Sequence, residues 1–247
     1  MADFTDKEII ITGGGSGIGA EMAVAFARAG AQVTIAARNE DRLAAVSAQH
    51  RNIRYQVTDI TNADSVAALF ADRRSLDIVI ANAGAAQSAP FKKVTLVQWQ
   101  QMLDVNLTGV FLTLQAGLAR MGDGGRLIAV ASTAGLKGYP YVAPYCAAKH
   151  GVIGLVKALA LETARKGITV NALCPGFTET PLLEESLDNI TRTTGLSREE
   201  ARAQLTAHNP QGRLIQPGDV VATALWLASG EASSITGQAI SISGGEI

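Results

Sequence analysis

Short runs of β-branched apolar residues alternate with amphipathic segments along the whole chain. The first run, Ile9 to Ile11, ends in Thr12 and a glycine cluster, and it predicts a strand buried on both faces. Six further strands are predicted at residues 32–36, 54–57, 77–81, 126–131, 169–173 and 239–242. Helices are predicted at residues 20–29, 41–48, 64–72, 96–118, 145–165 and 220–228, with a bend expected at Gly109. The alternation predicts an α/β protein: a doubly wound, Rossmann-like fold on a mainly seven-stranded parallel sheet.

The domain organisation follows from the evenness of this pattern. No linker and no change of composition divides the chain, so we predict one dinucleotide-binding and catalytic domain over residues 1–247. Residues 176–217 are irregular and too long for a simple connection. We expect two short helices there, near 180–190 and 197–207, which form a small substrate lid over residues 178–216.

Composition and charge exclude several classes of protein. Apolar residues make up 47% of the chain, which allows a large buried core and excludes a disordered protein. The net charge of −1 gives no bulk attraction to nucleic acid or to anionic membranes, and we expect neither as a partner. The sequence shows neither a signal peptide nor a membrane span, and Cys146 and Cys174 suit reduced thiols in a cytoplasmic protein. The three histidines are scattered, so no metal site is predicted.

A glycine-rich turn links the first predicted strand to the first predicted helix. It reads Thr-Gly-Gly-Gly-Ser-Gly-Ile-Gly over residues 12–19. Glycines at this place let the backbone approach a pyrophosphate at the helix N-terminus, although an ordinary glycine-rich turn has the same composition. The position directly after a buried strand favours the dinucleotide interpretation.

A tyrosine and a lysine provide candidate proton chemistry. Tyr145 and Lys149 are four residues apart, so they share one face of the predicted helix. The pKa of a free phenol is near 10, and a nearby ammonium group is expected to lower it. Such a pair also arises by chance on many helices. Ser132 favours the catalytic interpretation, because it ends the fifth predicted strand, where ligands of open α/β sheets bind.

The glycine turn, in the order T-G-x-x-x-G-x-G, and the Y-x-x-x-K motif together resemble the short-chain dehydrogenase/reductase family over essentially the whole chain. The resemblance implies an oxidoreductase that transfers a hydride between a nicotinamide cofactor and a secondary alcohol or ketone. It implies a catalytic tetrad of Asn106, Ser132, Tyr145 and Lys149. In the family, the asparagine of N-x-x-G holds a water that connects the lysine to solvent. Considered alone, Asn106 is a polar helix residue that satisfies a local backbone group.

The resemblance also implies a set of cofactor contacts. Asn82, Ala83 and Gly84 are similar to the last three residues of the family's N-N-A-G motif, with Ala81 in place of the first Asn. Asp59 matches a family contact to adenine, although it could instead cap the following helix. The complete set of predicted contacts is Gly13, Ser16, Gly17, Ile18, Gly19, Arg38, Asp59, Ile60, Asn82, Ala83, Gly84, Tyr145, Lys149, Pro175, Gly176, Thr178 and Thr180.

Cofactor choice depends on the end of the second predicted strand. An acid there binds the free ribose hydroxyls of NAD(H), whereas this chain has Ala37 followed by Arg38. A guanidinium can hold a 2′-phosphate with two parallel hydrogen bonds, so we predict a preference for NADP(H). Ser16 supplies no second positive charge in the glycine turn, and use of NAD(H) stays open.

The substrate and the assembly are less closely defined. The apolar start of the lid, Leu182 and Leu183, with Leu187 and Ile190 after it, suits an aliphatic or aromatic ketone. One alternative is a 3-oxoacyl-thioester reductase that acts on acyl carrier protein or CoA substrates. A different class is a non-catalytic NAD(P)-sensing protein. Candidates for a basic patch that would bind a carrier protein or CoA are Arg192, Arg198 and Arg202.

The resemblance implies a homo-oligomer, either a tetramer or a dimer. The family assembles through the two helices that begin near Leu96 and Tyr145, and the C-terminal helix and strand make a second interface. In this chain the second of these helices is rich in Ala and Leu, with few charges to solvate an outward face.

Overall fold

Seven parallel strands form one sheet in a computed structural model that describes residues 3–72 and 75–247. The strand order is β3-β2-β1-β4-β5-β6-β7 and every neighbouring pair is parallel. The strands are β1 Glu8–Thr12, β2 Gln32–Ala37, β3 Ile53–Val57, β4 Leu76–Ala81, β5 Met121–Val130, β6 Thr169–Pro175 and β7 Ala239–Ile242. The predicted fold class is confirmed.

Helices cover both faces of the sheet. They are α1 Gly17–Arg28, α2 Glu40–Ser47, α3 Ala63–Phe70, α4 Leu96–Leu103, α5 Gly109–Leu118, α6 Ala143–Thr163, α7 Pro181–Thr194, α8 Arg198–Thr206 and α9 Pro217–Ala228. Helices α1, α2 and α9 contribute to one apolar core, and α3, α5 and α6 contribute to the other. Ile9 and Ile11 face the first core and Ile10 faces the second, which is why the strand reads as an unbroken apolar run.

The helix predicted over residues 96–118 is interrupted. Helix α4 ends at Leu103, a π-helical turn covers Asp104–Thr108, and α5 begins at Gly109. The irregularity therefore lies just before Gly109 and arises from the extra residue in the turn. Gly109 itself is needed for close packing, because a Cβ there would lie 2.5 Å from Ile60 Cδ1.

The segment between β6 and α9 contains two helices, α7 and α8. The sequence predicts both, although α7 continues to Thr194 rather than ending near 190. Leu183 and Leu187 of α7 pack against Ala201 of α8 and against Leu214, so the pair has its own small apolar core. A parallel bridge between Thr178 and Ile215 ties the start of the segment to its end.

Three further findings concern membrane spans, metal sites and the cysteines. None of the helices within residues 3–72 and 75–247 is long and apolar enough to cross a membrane. The same residues contain no cluster of three or more metal-ligating side chains. Cys146 and Cys174 are both free and buried.

Candidate active site

The carboxyl ends of the parallel strands bring the predicted motifs to one edge of the sheet. The strand order reverses at β1, which lies between β2 and β4, and such a switch point opens a crevice for ligands. The glycine turn follows β1 and Asn82 follows β4. Ser132 follows β5, and Gly176 follows β6. The fold therefore gathers segments that are far apart in the sequence.

The glycine turn is held against the end of β4 by Asn82. Its side-chain amide donates to the carbonyl oxygens of Thr12 and Gly13 at 3.0 and 3.2 Å, and its backbone N–H donates to the Thr12 hydroxyl at 3.1 Å. Gly13 has a φ of 70°, and a Cβ on it would lie 2.7 Å from Ala83 Cα. The glycine is therefore required here, and Asn82 acts by shaping the turn.

The N-terminus of α1 fits an anion. The helix begins at Gly17, and its first turn reads Gly-Ile-Gly-Ala. As in any helix, the first backbone N–H groups have no carbonyl acceptor within the helix itself, so they are available to a ligand. Ser16 precedes it in extended conformation, and within the described residues its hydroxyl makes no capping bond to α1. Backbone donors, a free hydroxyl and a glycine surface suit the pyrophosphate of a dinucleotide.

Two arginines lie near the glycine turn. Arg38 follows β2 and is exposed. Arg42 lies in the first turn of α2, and its Cβ is 3.4 Å from where a Cβ on Gly15 would lie. Among residues 3–72 and 75–247, neither guanidinium is paired with a carboxylate. Arg42 is not among the predicted cofactor contacts. Its place in the first turn of α2 could be found from Asn39, which caps that helix and accepts from the Arg42 N–H at 2.9 Å.

The segment after β3 is held by its own hydrogen bonds. The backbone N–H and the hydroxyl of Thr61 donate to Asp59 at 2.9 and 2.7 Å, and these bonds hold the pKa of its carboxyl below the usual range. Arg38 adds a smaller electrostatic contribution in the same direction. Asn62 caps α3, so the interpretation of Asp59 as the helix cap is wrong. The side chain of Ile60 is buried against Gly109.

Gly84, Asn106 and Lys149 converge at one point. A Cβ on Gly84 would lie 3.0 Å from Asn106 Oδ1 and 3.7 Å from Lys149 Nζ. Asn106 lies in the π-helical turn and is fully buried. Its amide donates to the carbonyl oxygens of Ala85 and Met102, and its Oδ1 accepts from the Ala85 N–H. The Asn106 side chain thus satisfies backbone groups, as its residue type alone suggested.

Lys149 is buried beside the end of β5. Only 3% of the residue is exposed, and Nζ donates to the carbonyl oxygen of Val130 at 2.8 Å. Burial penalises the charged form and lowers the pKa of this lysine to about 8. Lys149 can therefore exchange a proton near neutral pH.

Tyr145 lies close enough to Ser132 for the serine side chain to influence the pKa of the phenol. Burial raises the pKa of the Tyr145 phenol to about 12, and the Ser132 side chain opposes that rise. The expected lowering by Lys149 is wrong for this structure, because Nζ is bonded to Val130 and lies 5.5 Å from the centroid of the Tyr145 ring. The phenol is therefore protonated through the neutral range.

The Pro-Gly segment after β6 leads from the sheet into the lid. Thr178 is buried and donates its hydroxyl to the Gly176 carbonyl at 2.9 Å, so its side chain is engaged within the segment. Thr180 caps α7, and its methyl carbon lies 3.2 Å from where a Cβ on Gly17 would be. Thr180 therefore lies beside the glycine turn, whereas the Thr178 side chain points into its own backbone.

The lid exposes less apolar surface than the sequence suggested, because Leu182 alone of the four predicted residues lies outside the core between α7 and α8. Leu183 and Leu187 are buried in the core between α7 and α8, so they do not carry the argument for an apolar pocket. Aromatic rings lie instead around Tyr139, in the loop of residues 131–142, which we name the catalytic loop after the role predicted for Ser132. Tyr139 packs edge-to-face against Phe177, with ring centroids 5.7 Å apart, and against His208 at 5.6 Å.

Two of the three predicted basic candidates are neutralised within the lid. Arg198 forms ion pairs with Glu184 and Asp188. Arg202 pairs with Glu179. The third, Arg192, donates to the uncharged Asn189 side chain at 2.7 Å. The lid therefore presents little free positive charge to a carrier protein or to CoA phosphates.

Comparisons with known proteins agree with this arrangement. The profile of the family described as short chain dehydrogenase matches residues 7–191. A putative ketoacyl reductase from Streptomyces coelicolor is 36% identical, over 99% of this chain and 98% of its own length. A 3beta-hydroxysteroid dehydrogenase from Mediterraneibacter gnavus is also 36% identical, over 99% and 96% of the two chains.

Solved structures extend the similarity to three dimensions. The crystal structure of an actinorhodin polyketide ketoreductase variant with NADPH superposes with a TM-score of 0.92. It is 35% identical, and the match covers 100% of this chain and 99% of that one. The similarity therefore includes the whole architecture.

Proposed function

The chain belongs to the short-chain dehydrogenase family, and from that premise we propose that it is an NADP(H)-dependent reductase of ketones that acts through Asn106, Ser132, Tyr145 and Lys149. The observation that carries the proposal is the Tyr145 phenol, which lies near Ser132 at the carboxyl edge of the sheet and is kept protonated by its desolvation there. A protonated phenol in that place suits proton donation to a developing alkoxide.

The cofactor would be held along the crevice by groups of this chain. The pyrophosphate fits Ser16 and the first N–H groups of α1, and Arg38 and Arg42 fit a 2′-phosphate. Further contacts are proposed for Gly13, Gly17, Ile18, Gly19, Asp59, Ile60, Asn82, Ala83, Gly84, Tyr145, Lys149, Pro175, Gly176, Thr178 and Thr180. A bound nicotinamide supplies the hydride for the substrate carbonyl carbon.

The side chains of this chain supply the remaining steps. The Ser132 hydroxyl donates a hydrogen bond to the substrate oxygen and holds it beside Tyr145. The Tyr145 hydroxyl gives its proton to that oxygen as the alcohol forms, which leaves a phenolate. Lys149, with a pKa of about 8, can return a proton to the phenolate and take another from solvent. Because the Asn106 side chain is engaged with Ala85 and Met102, we assign any contact of Asn106 with a relay water to its backbone carbonyl.

The preference for NADP(H) gains support from Arg42. Ser16 supplies no positive charge in the glycine turn. The Cβ of Arg42 lies beside Gly15, so its guanidinium can add a second positive charge to that of Arg38. Two guanidinium groups favour a 2′-phosphate electrostatically, and an acid to bind the ribose hydroxyls is missing at Ala37. The similar ketoreductase was also solved with NADPH.

The substrate is proposed to be a small ketone rather than a carrier-bound thioester. The ion pairs of Arg198 and Arg202 leave the lid with little free positive charge, and the aromatic group near the catalytic loop suits a ring system. A 3-oxoacyl-thioester reductase is the second candidate, because the Streptomyces coelicolor relative is named a ketoacyl reductase. A purely cofactor-sensing protein has no use for a Ser132-Tyr145-Lys149 group at the carboxyl edge of the sheet.

One experiment separates the candidates. The purified protein is assayed with NADPH and with NADH against cyclic and aryl ketones and against acetoacetyl-CoA. We expect faster consumption of NADPH with the free ketones. Faster turnover of acetoacetyl-CoA would establish the second candidate instead. Cofactor binding without turnover of any substrate would support the sensing protein.

A further inference from the structure

A carboxylate near the end of the chain is buried against the active-site loop. The side chain of Glu246 is 3% exposed. A buried charge is costly unless it is paired, so its position calls for partners. The tail reaches this place through Gly244 and Gly245, whose φ values are 64° and 95°. A Cβ on Gly244 would collide with the Asn209 side chain at 2.0 Å, so the turn of the tail is closely fitted to the end of the lid.

The partners of Glu246 come from two different parts of the fold. From the loop that follows β5, the Tyr139 hydroxyl donates to Oε1 at 2.5 Å and the Lys137 ammonium lies 2.8 Å from the same atom. From the segment that follows α8, His208 Nδ1 lies 3.7 Å from Oε1. Glu246 Oε2 lies 3.3 Å from where a Cβ on Gly176 would be. One carboxylate therefore joins the catalytic loop to the lid.

A short path leads from this carboxylate to Ser132. The Tyr139 oxygen lies 2.8 Å from the Thr133 hydroxyl, which can donate to it while the phenol donates to Glu246. Thr133 begins a 3₁₀ turn directly after Ser132. Within this turn the backbone N–H of Ala134 donates to the Ser132 hydroxyl at 3.1 Å. The direction of the Ser132 side chain therefore depends on a turn that Tyr139 and Glu246 hold.

The same group also fixes the lid side of the crevice. The rings of Tyr139, Phe177 and His208 pack on one another with centroid separations of 5.4 to 5.7 Å. Phe177 follows Gly176, so movement of Tyr139 would disturb both the catalytic loop and the Pro-Gly segment. Lys137 lies 5.0 Å over the Tyr139 ring and adds a cation–π contact.

We propose that Glu246, acting through Tyr139, is a positioning residue that holds the Ser132 turn and the lid in the geometry required for ketone reduction. The inference rests on the proposed function for its kinetic consequence. It assigns to the C-terminal tail a role in the chemistry, although Glu246 touches neither Ser132 nor Tyr145.

The kinetic test uses Glu246→Ala, Tyr139→Phe and their double variant. Each single variant removes one end of the Tyr139–Glu246 bond, so each is expected to lower kcat for ketone reduction about tenfold or more through a misplaced Ser132. Cofactor KM is expected to rise by a smaller factor than kcat falls, because the contacts proposed for the glycine turn, Arg38 and Arg42 stay in place. The double variant is expected to be no worse than the poorer single variant, because both act on one unit.

Two further variants separate positioning from simple packing of the tail. Glu246→Gln keeps an oxygen that accepts from Tyr139, so most of kcat is expected to return. Glu231→Ala removes an exposed carboxylate elsewhere and is expected to leave kcat unchanged. A kcat within about twofold of wild type in both Glu246→Ala and Tyr139→Phe overturns the proposal, whatever happens to thermal stability.

Hydrogen exchange supplies a readout that needs no substrate. In Glu246→Ala, the amides of residues 133–142 are expected to exchange faster than in Glu231→Ala, while those of β1 and β4 are unchanged. Equal exchange in the two variants contradicts the proposal. A wild-type protein that reduces no ketone contradicts the proposed function instead, and the exchange result still decides whether Glu246 holds the loop.

Discussion

The environment of Tyr145 supports the role of proton donor that we propose for its phenol. Desolvation keeps the phenol protonated, and the nearby Ser132 side chain acts in the opposite direction on its pKa. Lys149, whose pKa is lowered to about 8 by burial, lies on the same helix and is bonded to the end of β5. A half-buried phenol and a buried ammonium group, with pKa values moved in opposite directions, thus lie one helical turn apart.

The raised pKa of Tyr145 predicts different pH profiles for the two directions. Reduction needs the phenol, which is present below its pKa of about 12, so the reductive rate is expected to be level from pH 6 to 8. Oxidation needs the phenolate, which is scarce below that pKa, so oxidative kcat/KM is expected to rise about tenfold per pH unit over the same range. Initial rates in both directions check this. An oxidative profile that is already level at pH 7 contradicts it.

Arg38 and Arg42 are expected to set cofactor choice. Arg38→Ala is expected to weaken NADPH use by about 1.5–3 kcal/mol, the range for a hydrogen bond to a charged group, and Arg42→Ala is expected to act in the same direction. NADH use is expected to change little in both variants, because that cofactor has no 2′-phosphate. Ala37→Asp is expected to shift the preference toward NADH by repelling the phosphate and binding the ribose hydroxyls.

The values of kcat/KM for the two cofactors decide the matter. Arg28→Ala is a matched control, since it removes a guanidinium from the C-terminal turn of α1, away from the glycine turn. A wild-type preference for NADH would contradict the assignment of Arg38 and Arg42 to a 2′-phosphate.

Individual residues were predictable where a motif fixes their place in the fold. The positions of Ser132, Tyr145 and Lys149 follow from strand ends and helix periodicity. The pKa of Tyr145 did not follow, because it depends on burial and on the carbonyl that binds Lys149. Arg42 was missed because its approach to Gly15 is a contact between separate segments.

Among the elements, the break between α4 and α5 is explained by the π-helical turn between them. The π-helical turn carries Asn106, and Gly109 lets α5 approach the segment after β3. The sequence places a bend there but supplies no reason to expect an extra residue in the turn. For the lid, periodicity predicted both helices, yet it did not show that Leu183 and Leu187 face α8 rather than the crevice.

Gly109→Ala tests the packing of α5. A Cβ there would lie 2.5 Å from Ile60 Cδ1 and 3.2 Å from the Ile60 carbonyl oxygen. We expect a loss of about 1–3 kcal/mol in the free energy of unfolding, measured by denaturant titration. Ile60→Val removes Cδ1, so the double variant is expected to lose less than the sum of the two single losses. Strict additivity would contradict the contact.

At the scale of the whole molecule, α4 and α6 carry large apolar side chains that are mostly exposed. Leu96 and Val97 of α4 are 79% and 67% exposed, and Leu161 of α6 is 83% exposed. Ala147, Gly154 and Ala158 are also exposed along α6 and offer a surface on which another helix could pack closely. We therefore expect this face to pair with a second copy of the chain, as a dimer or within a tetramer.

Gly154→Glu tests that assembly without disturbing the protomer. A Cβ on Gly154 meets nothing within 4 Å, so a side chain there fits the isolated fold. We expect the variant to have a lower mass than wild type in light scattering at micromolar concentration, with unchanged circular dichroism. Gly122→Glu, at another open and exposed position, is the control and is expected to keep the wild-type mass. A monomeric wild-type protein would contradict the assembly.

The most direct test of the whole account is the transfer of deuterium from NADPH, with deuterium at both C4 positions of the nicotinamide, to a ketone from the panel by wild type and by Tyr145→Phe. The account predicts deuterium at the carbinol carbon of the wild-type product and a rate at least about a hundredfold lower in the variant, with cofactor affinity retained, because only the proton donor is lost. Near-wild-type transfer by Tyr145→Phe, or a wild-type product without deuterium, would contradict it.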